Sequence, residues 1–171
     1  MRALRMVMGM VLVVASLTGC DHHADPAASA GSTAKPAVSL VPPPNPDDVV
    51  AWRAFLGKAI LAETHDPNLH PYAFVVPAGE SADVVQQRQG EALAIHSMLG
   101  RTAVPGDMLA VTGPDSPYVV EVIREAFKGV PARGAQGLTI LYVGRPMVAA
   151  KVQDIVKAAG AELRVRAMQS P

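Results

Sequence analysis

Residues 108–116 read Met-Leu-Ala-Val-Thr-Gly-Pro-Asp-Ser and set the pattern that the rest of the chain repeats. The first five are apolar or β-branched, which is typical of a buried strand, and the last four have the composition of a turn. Ser116 is then placed to cap a helix that has Pro117 at its first position and Gly129 just beyond its end. A buried strand followed directly by a helix predicts one step of a parallel sheet.

The same strand-turn-helix step occurs once before this run and once after it. The predicted elements are strand 72–76, loop 77–81 and helix 82–99, and further along strand 138–143, loop 144–146 and helix 147–159. Residues 162–167 alternate charged and apolar side chains, which is the pattern of a half-exposed strand at a sheet edge.

A helix precedes these units, with Asp47 as its predicted cap. Its apolar residues recur at helical spacing and form one stripe: Val49, Trp52, Phe55, Leu56, Ala59 and Ile60. The order α-β-α-β-α-β-α-β predicts an α/β fold, a single sandwich with a mostly parallel sheet flanked by helices. The connection at Gly160 is short enough to allow the final strand to run antiparallel.

The N-terminus has the organisation of a secretory leader. Arg2 and Arg5 form a basic region, and Val7–Leu17 form an uncharged, largely apolar core that is too short for an ordinary transmembrane helix. Cys20, the only cysteine of the chain, ends the run Leu17-Thr18-Gly19-Cys20. An ordinary signal peptide with an incidental cysteine is one interpretation of these features.

The run Leu17-Thr18-Gly19-Cys20 resembles the lipobox of bacterial lipoproteins. The resemblance implies that residues 1–19 are removed and that Cys20 carries a thioether-linked diacylglycerol, which anchors the chain to the periplasmic side of a membrane. Asp21 directly after the cysteine resembles an inner-membrane retention signal of enteric bacteria, so the inner membrane is favoured over the outer.

Residues 21–46 differ in composition from the rest of the chain. Six of these 26 residues are Pro and six are Ala, and few are large and aliphatic. Such a segment cannot bury enough apolar surface to offset the entropy lost on ordering, so a disordered tether is expected. The predicted organisation is therefore a signal peptide (1–19), a lipidated N-terminus with its tether (20–46) and a single α/β domain (47–171).

The charge of the mature chain argues against nucleic acid as a partner. Cleavage removes two of the 15 Lys and Arg residues and none of the 15 Asp and Glu residues, which leaves a formal charge of −2. Such a chain has no basic footprint for a phosphate backbone. Once Cys20 is lipidated, no thiol remains for a disulfide or a thiolate metal site.

The histidines do not form a catalytic or metal-binding pattern. His65 and His70 flank Asp66 in a proline-containing turn, which gives no fixed tetrahedral ligand set. His96 lies in a predicted helix with no nucleophile motif around it, and a surface or core-edge position is expected. No catalytic residues, metal or cofactor are predicted.

The strand-to-helix loops of a parallel sheet gather at one edge, where open α/β folds bind ligands. Ser81, Ser116 and Arg145 would meet there near helix N-termini, which attract anions, so a small-anion or nucleotide site is one hypothesis. The loops contain no GxGxxG or Walker sequence, and helix capping alone also explains Ser116.

Two families of envelope proteins share features with this chain. Arg88–Leu99 followed by Val104–Gly113 is similar in rhythm to the OmpA-like peptidoglycan-binding domain, although Gln89 stands where that family has Ala. That likeness implies attachment to the cell wall.

The lipobox, the proline-rich stalk and the compact C-terminal domain resemble small lipoproteins of type IV secretion and conjugation systems, including the Cag-type core-complex family. This resemblance implies a non-enzymatic interaction component with protein partners in the envelope. It is the favoured interpretation; peptidoglycan attachment is the second and small-ligand binding the third.

Overall fold

The structure is a computed structural model and describes residues 40–64, 70–102, 104 and 106–169. The elements in chain order are α1 (Val49–Glu63), β1 (His70–Val75), α2 (Ala82–Thr102), β2 (Asp107–Thr112), α3 (Ser116–Ala126), β3 (Thr139–Gly144), α4 (Ala149–Ala158) and β4 (Glu162–Ala167). A single 3₁₀ turn, Pro146–Val148, leads into α4. This is the α/β order that the sequence predicts.

The four strands form one parallel sheet in the order β1-β2-β3-β4. The strand β3 is buried along its whole length, as a central strand covered on both faces must be. The helices that connect successive strands lie on one face of this sheet, as crossovers of one hand between neighbouring strands require. Accordingly α2, α3 and α4 share one core with Leu109, Ile140 and Tyr142.

The opposite face of the sheet is covered by α1. Alternate side chains of the central strands point to this face, and Met108, Ala110 and Leu141 pack there against Trp52 and Leu56. The apolar stripe predicted for the first helix is confirmed except at Val49, which is 44% exposed; the buried residues of the helix are Trp52, Phe55, Leu56, Ala59 and Ile60.

The final strand is parallel to its neighbour, so the antiparallel direction that the short connection allowed is wrong. Residues 162–167 pair in register with residues 139–144. The helix α4 itself returns the chain along the sheet, and a tight turn at Gly160 is then enough to start another parallel strand. The predicted edge position of this strand is confirmed.

The packed unit begins earlier than Asp47. Leu40 is only 4% exposed and belongs to the core under α1. Its carbonyl accepts a hydrogen bond from the backbone N–H of Gln169 at 3.0 Å, and the indole of Trp52 donates to the carbonyl of Asn45 at 3.2 Å. Residues 40–46, which the composition assigns to the tether, are therefore part of the folded unit.

Two helix caps differ by one residue from the prediction. The cap of α1 is Asp48, whose carboxylate accepts from the N–H of Ala51 at 2.9 Å. The cap of α3 is Asp115, so Ser116 is the first residue of the helix. This shift leaves the Ser116 hydroxyl available for a tertiary contact.

Within the described residues, no helix is both long enough and apolar enough to cross a bilayer. The predicted signal peptide, Cys20 and tether residues 21–39 lie outside the described residues, as do His65 and Asp66.

Candidate functional site at the carboxyl edge of the sheet

The loops after β1, β2 and β3 lie at one edge of the sheet because the strands are parallel. The structure brings two of the three predicted site residues into contact there. Ser116 is buried, and its Oγ accepts the backbone N–H of Arg145 at 3.3 Å. The side chain of Arg145 is exposed. The serine therefore ties the loop after β3 to the start of α3.

Tyr142 makes a second contact with the loop after β3. Its hydroxyl donates to the carbonyl of Arg145 at 3.4 Å, and burial raises the pKa of the phenol. The phenol thus remains a protonated donor at neutral pH. A Cβ on Gly144 would overlap the Tyr142 hydroxyl, so glycine is required by packing inside the protein.

Gly113 at the end of β2 has a similar role. A Cβ there would overlap the carbonyl oxygen of Val76 and lie 3.0 Å from a methyl group of Val119. Protein atoms therefore occupy the space that these glycines open. Neither glycine forms a cradle for a ligand.

Ser81, the third predicted residue, lies in the loop after β1. Its Oγ accepts the N–H of Val84 at 3.4 Å, which is the geometry of a helix cap. Among the described residues no hydrogen bond joins Ser81 to Ser116 or Arg145. Ser81 therefore has the contact of a helix cap, whereas Ser116, for which capping was the alternative explanation, makes a tertiary contact.

Arg88 organises this edge, and the sequence analysis did not predict that role. The residue is 8% exposed, and its guanidinium donates to the carbonyls of Gly79 at 2.6 Å and Pro77 at 3.3 Å. The guanidinium carbon also lies 3.9 Å from the centre of the Tyr118 ring. Arg88 thus clamps the loop after β1 against α3.

Acidic groups surround that clamp. The Tyr118 hydroxyl donates to the Glu80 carboxylate at 3.2 Å. Asp115 Oδ1 is buried and has no hydrogen-bond partner among the described residues. An anion bound here would face both carboxylates, and of the two arginines at this edge the buried Arg88 is already engaged while only Arg145 has an exposed side chain. The edge consequently offers weak electrostatic support for an anion.

A small cavity lies at the same edge, between residues 42–46 and the strand ends. Its volume is about 200 Å³ and its walls include Trp52, Pro114, Arg145 and Met168. Small-molecule sites usually enclose about 300–1,000 Å³. The proline segment thus fills much of the space where an open α/β sheet would receive a ligand.

The two histidines that the structure describes, His70 and His96, both lie at the surface. His96 is exposed, and its Nδ1 lies 2.8 Å from the carbonyl of Ala126 at the end of α3. Because a carbonyl only accepts, the proton is assigned to Nδ1. His70 is exposed at the start of β1, 3.7 Å from the Asp107 carboxylate.

Two further observations complete the description of candidate sites. Among the described residues, no three His, Cys, Asp or Glu side chains are grouped so that they could hold a metal ion. A groove of about 550 Å³ runs between α2 and α3, and its walls include Leu93, His96, Glu125 and Lys128.

The fold and this edge define an α/β domain with a four-stranded parallel sheet whose strand-end polar groups bind one another. No family model, no curated protein and no solved structure matches the chain.

Proposed function

We propose that the chain is a lipid-anchored protein of the bacterial envelope whose folded unit is an interaction component of an assembly. The observation that carries the proposal is Leu17-Thr18-Gly19-Cys20, a lipobox-like run that contains the only cysteine and directly follows a short apolar core. Lipid on Cys20 holds the domain at the periplasmic side of a membrane, and Asp21 favours the inner one.

Polar side chains at the strand ends already bind other groups of the protein, and this supports an interaction role. Ser116 binds a backbone N–H, Arg88 binds two carbonyls, and glycines 113 and 144 are explained by internal packing. Few polar groups at this edge remain available for a substrate. Binding between surfaces is then the better-supported activity, and a secretion or conjugation apparatus is the assembly that the sequence resemblance favours.

Peptidoglycan attachment receives less support. The resemblance to that family runs through Arg88, and this guanidinium is buried against Gly79, Pro77 and Tyr118 rather than presented to solvent.

A leader exchange tests the anchor. The native gene is compared with one in which residues 1–20 are replaced by an ordinary cleavable signal peptide, so that the mature chain starts at Asp21. We expect the native protein in the washed membrane fraction and the exchanged one in the soluble periplasm. Equal distribution of the two proteins would contradict the proposal.

Stoichiometric co-purification with secretion-core proteins, compared with capture by muropeptides, then separates the two envelope roles.

A further inference from the structure

The outer side of α1 carries a second apolar stripe that nothing in the described structure covers. Val50, Ala54, Gly57 and Leu61 follow one another at intervals of four, three and four residues, the spacing of a helix-packing seam. Val50 is 78% exposed and Leu61 is 74% exposed. The seam is thus solvent-facing along three turns of the helix.

The opposite side of α1 is the buried stripe of Trp52, Leu56 and Ala59. A helix with apolar residues on two opposite sides is characteristic of a helix packed between two layers. The sheet supplies one of those layers. Of the described helices, α1 alone belongs to the core on this face of the sheet, so no described helix covers its outer side.

The middle of the seam is built from small residues. A Cβ on Gly57 would meet nothing within 4 Å, so the packing of the described residues does not require glycine there. Glycine inside a helix costs about 1 kcal/mol relative to alanine. With Ala54 beside it, Gly57 allows the backbone of another helix to approach closely.

A groove borders the seam on one side. It has a volume of about 440 Å³ and lies between α1 and residues 41–44, with Ala54, Lys58 and Val41 among its walls. Val41 is itself exposed. The groove offers a place for apolar side chains of a helix that lies on the seam.

The charges beside the seam specify the partner. Arg53 and Lys58 flank it on opposite sides, and both are exposed. Within the described residues neither of them forms an ion pair, although the Arg53 guanidinium is near enough to Glu91 to lower the pKa of that carboxyl group. An apolar seam flanked by cations complements an apolar seam flanked by carboxylates.

We propose that this seam, defined by Val50, Ala54, Gly57 and Leu61, docks an amphipathic helix of a partner protein that has acidic residues beside its apolar stripe. The inference rests on the proposed interaction role and names the kind of partner.

Two other occupants fit the seam less well. A second copy of this chain would bring both pairs of Arg53 and Lys58 together around one axis, where they repel. A lipid surface would gain little from Ala54 and Gly57, while the aromatic residues of the helix, Trp52 and Phe55, point into the core.

The test uses the mature chain from Asp21 onward and two synthetic helical peptides of about 21 residues, a length that gives three heptads. Both peptides carry the same leucine seam; one has Glu at the flanking positions and the other has Lys. We expect the Glu peptide to bind at least about tenfold more tightly than the Lys peptide in fluorescence anisotropy, with the difference shrinking as salt rises.

Matched variants locate the binding surface. Val50→Asp should weaken binding of the Glu peptide at least about tenfold, whereas Leu93→Asp on α2, a residue 65% exposed, should leave it unchanged. The double variant Arg53→Glu with Lys58→Glu should reverse the preference between the two peptides. Circular dichroism and thermal melting of each variant establish that it is folded.

Several results would overturn the inference. These are failure of the Glu peptide to bind, equal binding of both peptides, and binding that Val50→Asp leaves intact. A dimer in sedimentation that Val50→Asp dissociates would assign the seam to a second copy. Capture by anionic phospholipid vesicles that the same variant abolishes would assign it to the membrane. None of these measurements involves Cys20. The docking of a helix can therefore be refuted while the lipid anchor is confirmed, and the anchor can be refuted while the docking is confirmed.

Discussion

At the scale of single residues, the side chains that look functional at the strand ends hold the protein together. Ser116 and Arg88 are both buried and both bind backbone groups of neighbouring loops. Buried donors and acceptors are expected to be paired, and these two side chains satisfy loop atoms that the sheet itself leaves free. The side chains at this edge therefore hold the neighbouring loops in place.

Replacement of Arg88 tests how much its contacts with the loop after β1 stabilise the fold. Arg88→Met keeps most of the side-chain volume but removes the charged donors from the carbonyls of Gly79 and Pro77. The free energy of unfolding should fall by about 2–3 kcal/mol in urea denaturation. Arg124→Met, on the exposed side of α3, is the control and should change it by less than about 0.5 kcal/mol. Equal effects of the two substitutions would contradict the clamp.

Glu91 is expected to make the stability of the protein depend on pH. Burial raises the pKa of this carboxyl group, and nearby Arg53 partly opposes the shift. Between the unfolded and the folded pKa values the folded state binds more protons, so stability falls as the pH rises through this interval. Ionised Glu91 therefore destabilises the fold at neutral pH.

The variant Glu91→Gln should be more stable than the native chain at about pH 7, and should gain less stability on acidification to about pH 5. Denaturation curves at the two pH values measure both quantities. Glu121→Gln, an exposed position on α3, serves as the control. An unchanged pH dependence in Glu91→Gln would show that this carboxyl group is not responsible.

At the scale of elements, local sequence patterns were sufficient to predict most of the helices and strands. The buried run in β2 and the turn that follows it have clear signatures, and the charged alternation of β4 correctly predicted an edge strand. The direction of β4 was not predictable from loop length, because α4 already reverses the chain. The clamp by Arg88 was also beyond prediction, because its partners are 9 and 11 residues away in sequence and lie in a loop with no signature.

The helix α2 contains a glycine whose effect can be measured. A Cβ on Gly90 would meet nothing within 4 Å. Gly90→Ala should therefore raise the free energy of unfolding by about 0.5–1 kcal/mol, because alanine has the higher helix propensity. Gly160→Ala should lower it instead, since Gly160 has a φ of +83° and a Cβ there would lie 3.0 Å from the Arg133 Cα. A loss of stability in Gly90→Ala would contradict the expectation that alanine stabilises the helix at this position.

At the scale of the whole molecule, the sheet order β1-β2-β3-β4 never reverses among the described strands. Open α/β sheets bind ligands in the crevice that such a reversal creates. Here that crevice is missing from the described sheet, and residues 42–46 pack at the strand ends instead. This arrangement supports the proposal that the domain binds partners through an outer surface such as the exposed side of α1.

The N-terminal boundary of the packed unit is directly testable. Leu40→Ala should destabilise the protein by about 2–4 kcal/mol, because it leaves a cavity in the core under α1. Val41→Ala, at an exposed neighbour, should change stability by less than about 0.5 kcal/mol. Equal, small effects in thermal or urea unfolding would place the start of the packed unit after Leu40, as the composition alone suggested.

Mass spectrometry of the protein purified from membranes can detect the proposed lipid on Cys20 itself. We predict that the N-terminal peptide begins at Cys20 and carries the mass of a diacylglycerol on sulfur, with or without an additional N-acyl chain. An N-terminal peptide that begins elsewhere, or one that contains Cys20 as a free thiol, would show that Cys20 does not anchor the protein through lipid.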